Sequence, residues 1–80
     1  MNSYEGPKIL VTGALGQIGT DLTVALREKY GPNQVIATDI RKITNHPSIN
    51  NGIFQNLDVL DTQNLVEVCK KNDIEINYHL

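Results

Sequence analysis

Along the chain, the spacing of apolar positions changes several times, and each change marks an element. Lys8-Ile9-Leu10-Val11-Thr12 is a short apolar and β-branched run, the pattern of a strand buried on both faces. From Gln17 to Tyr30 the apolar positions Ile18, Leu22, Ala25, Leu26 and Tyr30 recur at helical spacing and predict one buried stripe of an α-helix. Gly31-Pro32 predicts its end, because glycine tolerates the C-terminal conformation and proline cannot continue the hydrogen-bond ladder.

Gln34-Val35-Ile36-Ala37-Thr38 reads as a second buried strand ending at Asp39. From Arg41 to Gly52 the chain is rich in Asn and contains Pro47, which predicts a loop in which any helical turn is short. Ile53 to Leu57 reads as a third strand. Asp61 or Thr62 is placed to cap a helix whose stripe is Leu65, Val68 and Cys69, running to about Lys71. In the last segment Ile74, Ile76, Tyr78 and Leu80 alternate with Glu75, Asn77 and His79, predicting a strand with one face buried. Strands and helical segments in this order predict right-handed crossovers. The fold class is α/β: a partial doubly wound parallel sheet, β-α-β-loop-β-α-β.

Between the first strand and the first helix, Gly13, Gly16 and Gly19 form Gly-x-x-Gly-x-x-Gly, the context in which a glycine pattern gains meaning. The first glycine lets the chain reverse, the second leaves room for a pyrophosphate, and the third lets helix and strand pack closely. The amides of Leu15, Gly16, Gln17 and Ile18 are expected to face phosphates at the positive end of the helix dipole. The same glycines would also suit a tight turn with no ligand. Gly19 is followed by Thr20-Asp21 instead of Lys-Ser/Thr, which disfavours a nucleoside triphosphatase.

Asp39 follows Gly19 by 20 residues, where a carboxylate accepts hydrogen bonds from the adenosine ribose and favours NAD. Arg41 and Lys42 soften the repulsion of an NADP phosphate and leave dual use open. Asp58 stands where adenine would pass along the sheet's carboxyl end, or it is a turn former before the next helix. Tyr4 and Lys8 match Tyr-x-x-x-Lys in spacing, but Gly6-Pro7 between them prevents the helix that such a pair needs. His46 before Pro47 reads as an exposed loop residue, Cys69 as core, and His79 as structural or functional, with structure favoured.

Composition narrows the class without naming an activity. The 80 residues make one domain at most, and a chain this short buries only about 60–65% of its unfolded surface. A net charge of −2 offers no field to gather nucleic acid or an anionic membrane. The single cysteine permits neither an internal disulfide nor a zinc framework, and suits a reducing compartment. The amino-terminal residues lack the features of a secretory or transit signal.

The glycine spacing, together with Ala37-Thr38-Asp39-Ile40-Arg41-Lys42, resembles the extended short-chain dehydrogenase/reductase superfamily, the NAD-dependent epimerase/dehydratase group. Within it, Gly-Gln-Ile-Gly, Arg-Glu-Lys-Tyr-Gly and Asp-Ile-Arg-Lys are similar to the L-threonine 3-dehydrogenase family. The resemblance implies a Rossmann-type domain and NAD contacts from Gly13, Leu15, Gly16, Gln17, Ile18 and Gly19, from Asp39, Ile40 and Arg41, from Asp58 and Val59, and from Leu80. It implies oxidation of L-threonine to 2-amino-3-oxobutanoate in a homodimer; the lone cysteine adds the expectation of a cytoplasmic location and no metal site. The superfamily's catalytic Tyr-x-x-x-Lys would lie beyond position 80, so the chain is expected to be an amino-terminal portion, inactive alone. A nucleotide-sugar epimerase or dehydratase, or a non-catalytic dinucleotide-sensing module, remains an alternative.

Overall fold

The computed structural model describes residues 5–80; Tyr4, half of the Tyr4 and Lys8 spacing, lies outside the described residues. The elements are β1 (Ile9–Thr12), α1 (Gln17–Tyr30), a 3-10 turn at Pro32–Gln34, β2 (Val35–Asp39), α2 (Pro47–Asn50), β3 (Ile53–Asn56), α3 (Thr62–Lys71) and β4 (Ile76–His79). The sheet runs β3-β2-β1-β4, and every pair is parallel. Leu10 lies beside Ile36 on one side and Asn77 on the other.

The two-residue period of the strands sorts the core into two layers. Ile9, Val11, Val35 and Ala37 point to one face and pack with Ala14 and Leu26, supported by Leu22, Tyr30 and Phe54. Leu10 and Ile36 point to the other, against Leu57 and Val68, supported by Leu65, Cys69 and Ile74. All of β1 and β2 is therefore buried, which is why both read as continuous apolar runs. Each fully buried Val, Leu or Ile stabilises the fold by about 1.5–3 kcal/mol.

Strand order reverses at β1: β2 and β3 are laid to one side, β4 to the other. Such a reversal opens a crevice at the carboxyl ends of the strands, the ligand side of open α/β sheets. Asp61 caps α3, its side chain accepting from the Asn64 N–H at 3.2 Å, which decides between the two expected caps. No helix among the described residues is long and apolar enough to cross a membrane.

Two expectations are corrected. On α1, Ile18 is 73% exposed and Ala25 is exposed, while Gly19, Thr23, Leu26 and Arg27 are buried. Leu22, Leu26 and Tyr30 keep to the expected stripe, and burial extends from it toward α2, where carbonyls accept from a guanidinium. Arg27 donates from Nη1 to the Ser48 carbonyl and from Nη2 to the Ile53 carbonyl, both at 2.8 Å. A Cβ at Gly52 would overlap that guanidinium, and burial lowers the Arg27 pKa. The second correction is β4, where all of Ile76–His79 is exposed instead of one face being buried. Among the described residues it pairs only with β1, at the sheet edge, and neither apolar layer includes a β4 residue.

Candidate cofactor-binding site

The turn after β1 is built around conformations that side chains would spoil. Gly13 has φ +69, a left-handed geometry that L-residues rarely adopt. A Cβ at Gly19 would overlap the Gly13 carbonyl, so the start of α1 can lie this close to β1 only without one. At Gly16 a Cβ would meet the Gly13 carbonyl at 3.5 Å and Arg41 Nη2 at 3.6 Å, ordinary contacts; its absence there keeps the space above the turn open. Gly16 precedes α1 and supplies no side-chain cap, and the first turn carries no acidic residue. First-turn amides have no acceptor within a helix, so those of Gln17, Ile18 and Gly19 are available to an anion.

Two cavities meet at this turn. One of about 380 Å³ is lined by Gly13, Gly16, Gln17, Ile18, Gly19 and Leu80. The other, of about 250 Å³, is lined by Gly13, Asp39, Ile40, Leu57, Asp58, Val59, Leu60 and Leu80. Gly13 and Leu80 belong to both, which makes them lobes of one groove across the carboxyl ends of the strands. Ten residues expected from the sequence line it: Gly13, Gly16, Gln17, Ile18, Gly19, Asp39, Ile40, Asp58, Val59 and Leu80. Leu57 and Leu60 were not expected. Leu57 was legible as the end of the expected third strand, one residue past Asn56, which pairs with Asp39; Leu60, 87% exposed, carried no signal.

Leu15 and Arg41 do not line the groove, and both are engaged with Asp39. The Leu15 N–H donates to Asp39 Oδ2 at 3.0 Å and the Gly16 N–H to the Gly13 carbonyl at 3.2 Å, so the expectation that these two amides face phosphates is corrected. The Arg41 N–H donates to Oδ1 at 2.9 Å, Nε to Oδ1 at 3.2 Å and Nη2 to Oδ2 at 3.0 Å. Each carboxylate oxygen thus accepts twice, the full capacity of the group. Burial, with only 4% of the side chain exposed, acts to raise the Asp39 pKa. The hydrogen bonds from Arg41 and Leu15 and the Arg41 charge outweigh it and hold the carboxyl below its ordinary value.

Asp58 is a turn former as well as a groove residue: its Oδ1 accepts from the Leu60 N–H at 2.9 Å. At the end of β4, His79 Nδ1 lies 3.2 Å from Thr12 Oγ1, and the Leu80 N–H donates to the same hydroxyl at 3.2 Å. These contacts tie β4 to β1 and give His79 a structural role. Cys69 is half-buried against the α3 layer. His46 is corrected from an exposed loop residue. It is half-buried, caps α2 by accepting from the Ser48 N–H, and reaches Thr20 on α1, because α2 docks beside the glycine turn.

Residues 9–80 match the model of the NAD dependent epimerase/dehydratase family. A relative from Staphylococcus epidermidis, named an uncharacterized epimerase/dehydratase, is 47% identical over 73 residues, spanning 91% of this chain and 23% of the relative. Among solved structures, an L-threonine dehydrogenase from Clostridium difficile is 47% identical with a TM-score of 0.88, over 92% of this chain and 23% of that one. A GalE-like L-threonine dehydrogenase from Cupriavidus necator, in holo form, is 36% identical with a TM-score of 0.82 over the same shares. The chain thus spans about a quarter of the length of the relatives it matches. With the match covering all four strands and the turn between β1 and α1, the chain belongs to the NAD dependent epimerase/dehydratase family.

Proposed function

We propose that these residues hold the adenosine and pyrophosphate half of NAD for an oxidoreductase whose substrate is L-threonine. The observation that carries the reading is the two-lobed groove with Asp39 in one lobe and the start of α1 in the other. The lobe at α1 suits a diphosphate, having first-turn amides and no acidic residue in that turn. The second lobe suits a nucleoside, with Ile40, Leu57, Val59 and Leu60 as apolar walls beside the carboxylates of Asp39 and Asp58.

Arg41 explains how one carboxylate serves both states. Withdrawing its guanidinium frees one acceptor site on each oxygen of Asp39, while the Leu15 and Arg41 backbone amides keep the other two. Two freed sites match the two hydroxyls of the adenosine ribose. An NADP 2′-phosphate meets a carboxylate there, a like charge that Arg41 and Lys42 only partly offset.

The threonine assignment is supported by likeness to the two dehydrogenases, 47% and 36% identical. Bound NAD would supply the acceptor for the hydride leaving C3 of L-threonine, the hydroxyl proton passing to a base, with 2-amino-3-oxobutanoate and NADH as products. This chain's part is to bind and orient; proton transfer belongs in this reading to residues outside these 80. A homodimer and a cytoplasmic location complete the proposal. A second reading, an epimerase or dehydratase acting on a nucleotide sugar, is favoured by the name of the Staphylococcus epidermidis relative and uses the same groove.

Calorimetric titration of the chain with NAD and with NADP tests the cofactor assignment. The expected result is tighter binding of NAD, abolished by Gly16→Val, whose side chain would enter the groove. Equal binding of both cofactors, or none to a chain shown to be folded, would contradict it. The 80 residues alone should form no NADH from threonine.

A further inference from the structure

We propose that His46 and Thr20 are positioning residues of the phosphate-binding turn, so that the loop between β2 and β3 forms part of the cofactor site; this rests on the NAD reading above. The Ser48 N–H donates to His46 Nδ1 at 3.1 Å. A ring nitrogen that accepts carries no proton, so in the neutral imidazole the proton is on Nε2. Nε2 lies 3.3 Å from Thr20 Oγ1 and donates to it. The Thr20 hydroxyl in turn donates a hydrogen bond to the Gly16 carbonyl at 2.6 Å, with the Ala14 carbonyl a longer alternative at 3.2 Å.

The consequence follows from the planarity of the peptide bond. In a trans peptide the carbonyl of one residue and the N–H of the next point in opposite directions within one rigid plane. Holding the Gly16 carbonyl toward α1, where the Thr20 N–H also donates to it at 2.8 Å, therefore aims the Gln17 N–H the other way, toward the groove. A second clamp acts two residues earlier. Ser48 Oγ donates to the Ala14 carbonyl at 2.8 Å, and the N–H in that peptide plane is that of Leu15, aimed at Asp39. Both clamps come from His46 to Ser48, and Arg27 holds that segment through the Ser48 carbonyl. The turn is thus set from behind, by groups that need not touch the cofactor.

The alternative is that His46 only caps α2. His46→Asn separates the two, because asparagine caps a helix well but is too short to reach Thr20. Thr20→Val removes the hydroxyl at nearly constant shape, and Thr20→Ser restores it. We expect Thr20→Val and His46→Asn each to weaken NAD binding by about two- to tenfold, the range of one net hydrogen bond. Thr20→Ser should bind as the unsubstituted chain does, and the thermal midpoints should stay close together. In the cofactor-free chain, ring ¹⁵N shifts should show His46 protonated on Nε2, and the Gln17 amide resonance should move in Thr20→Val and His46→Asn but not in Thr20→Ser. Unchanged affinity in Thr20→Val and His46→Asn would overturn the proposal, as would affinity that only tracks stability. If the unsubstituted chain does not bind NAD, the NAD reading fails, and the Gln17 resonance alone decides: movement in those two variants supports positioning, and a fixed resonance overturns it.

Discussion

Replacing Asp39 by asparagine separates its work for the fold from its work for the ligand. The amide keeps one acceptor oxygen and turns the other into a donor, at nearly the same volume. The Leu15 N–H is buried and has no other described acceptor, whereas the Arg41 N–H is near solvent. The asparagine oxygen should therefore stay on Leu15, since orphaning a buried donor costs about 1–3 kcal/mol. The amide nitrogen then faces Arg41, whose side chain is 55% exposed and swings into water. Lost charge-assisted bonds are partly offset by relief of the buried charge, giving a net destabilisation of about 1 kcal/mol. Against a total of roughly 4–12 kcal/mol for a domain this size, the chain stays folded, with its midpoint lower by about 4–8 °C.

Binding should respond more strongly. One of the two ribose hydroxyls loses a charged acceptor, worth about 1.5–3 kcal/mol, so NAD should bind about tenfold to a hundredfold more weakly. NADP should lose less, because the like charge facing its 2′-phosphate is gone. Calorimetric titrations at fixed ionic strength, paired with thermal melts, measure both effects. A variant that melts as expected yet binds NAD as tightly as before would refute the ribose assignment and leave Asp39 as a purely structural clamp.

Gly19→Ala should destabilise by about 1–3 kcal/mol, since its Cβ meets backbone and α1 must shift away from β1; Gly16→Ala, meeting only ordinary contacts, should leave the denaturation midpoint nearly unchanged. Asp61→Ala removes the cap of α3 and should cost about 0.5–2 kcal/mol in denaturant unfolding. The Asp39 carboxyl titrates below its ordinary value in the folded chain, so between the folded and unfolded pKa values the unfolded chain binds more protons. Its contribution to stability should be complete above about pH 4 and be lost as pH falls through the folded value. In Asp39→Asn that part of the acid limb should be absent from denaturant midpoints measured against pH.

What could be read from the sequence follows what is local. The buried runs Ile9–Thr12 and Val35–Asp39, the Gly31 stop and the cap at Asp61 or Thr62 are set by neighbours a few residues away, and all appear in the structure. The glycine turn was legible for the same reason, each glycine answering a steric demand within its own strand-helix unit. On α1 the stripe was right at Leu22, Leu26 and Tyr30 and missed Thr23 and Arg27 because both count as polar, Arg27 being buried only through carbonyls some 21 and 26 residues away. His46 was misplaced likewise: its contacts depend on how α2 docks against α1, which no local spacing encodes. The alternation in β4 was read as one buried face, yet burial depends on what covers a strand, and this one stands at the edge.

The most direct test of the account is to follow the backbone amide resonances of the chain as NAD is added. The account predicts the largest shifts at Gly16–Gly19 from the diphosphate, at Asp39–Arg41 as the guanidinium withdraws, and at Asp58, Val59 and Leu80 along the nucleoside lobe. Shifts confined to surfaces away from the carboxyl ends of the strands, or none at saturating NAD in a folded chain, would contradict it.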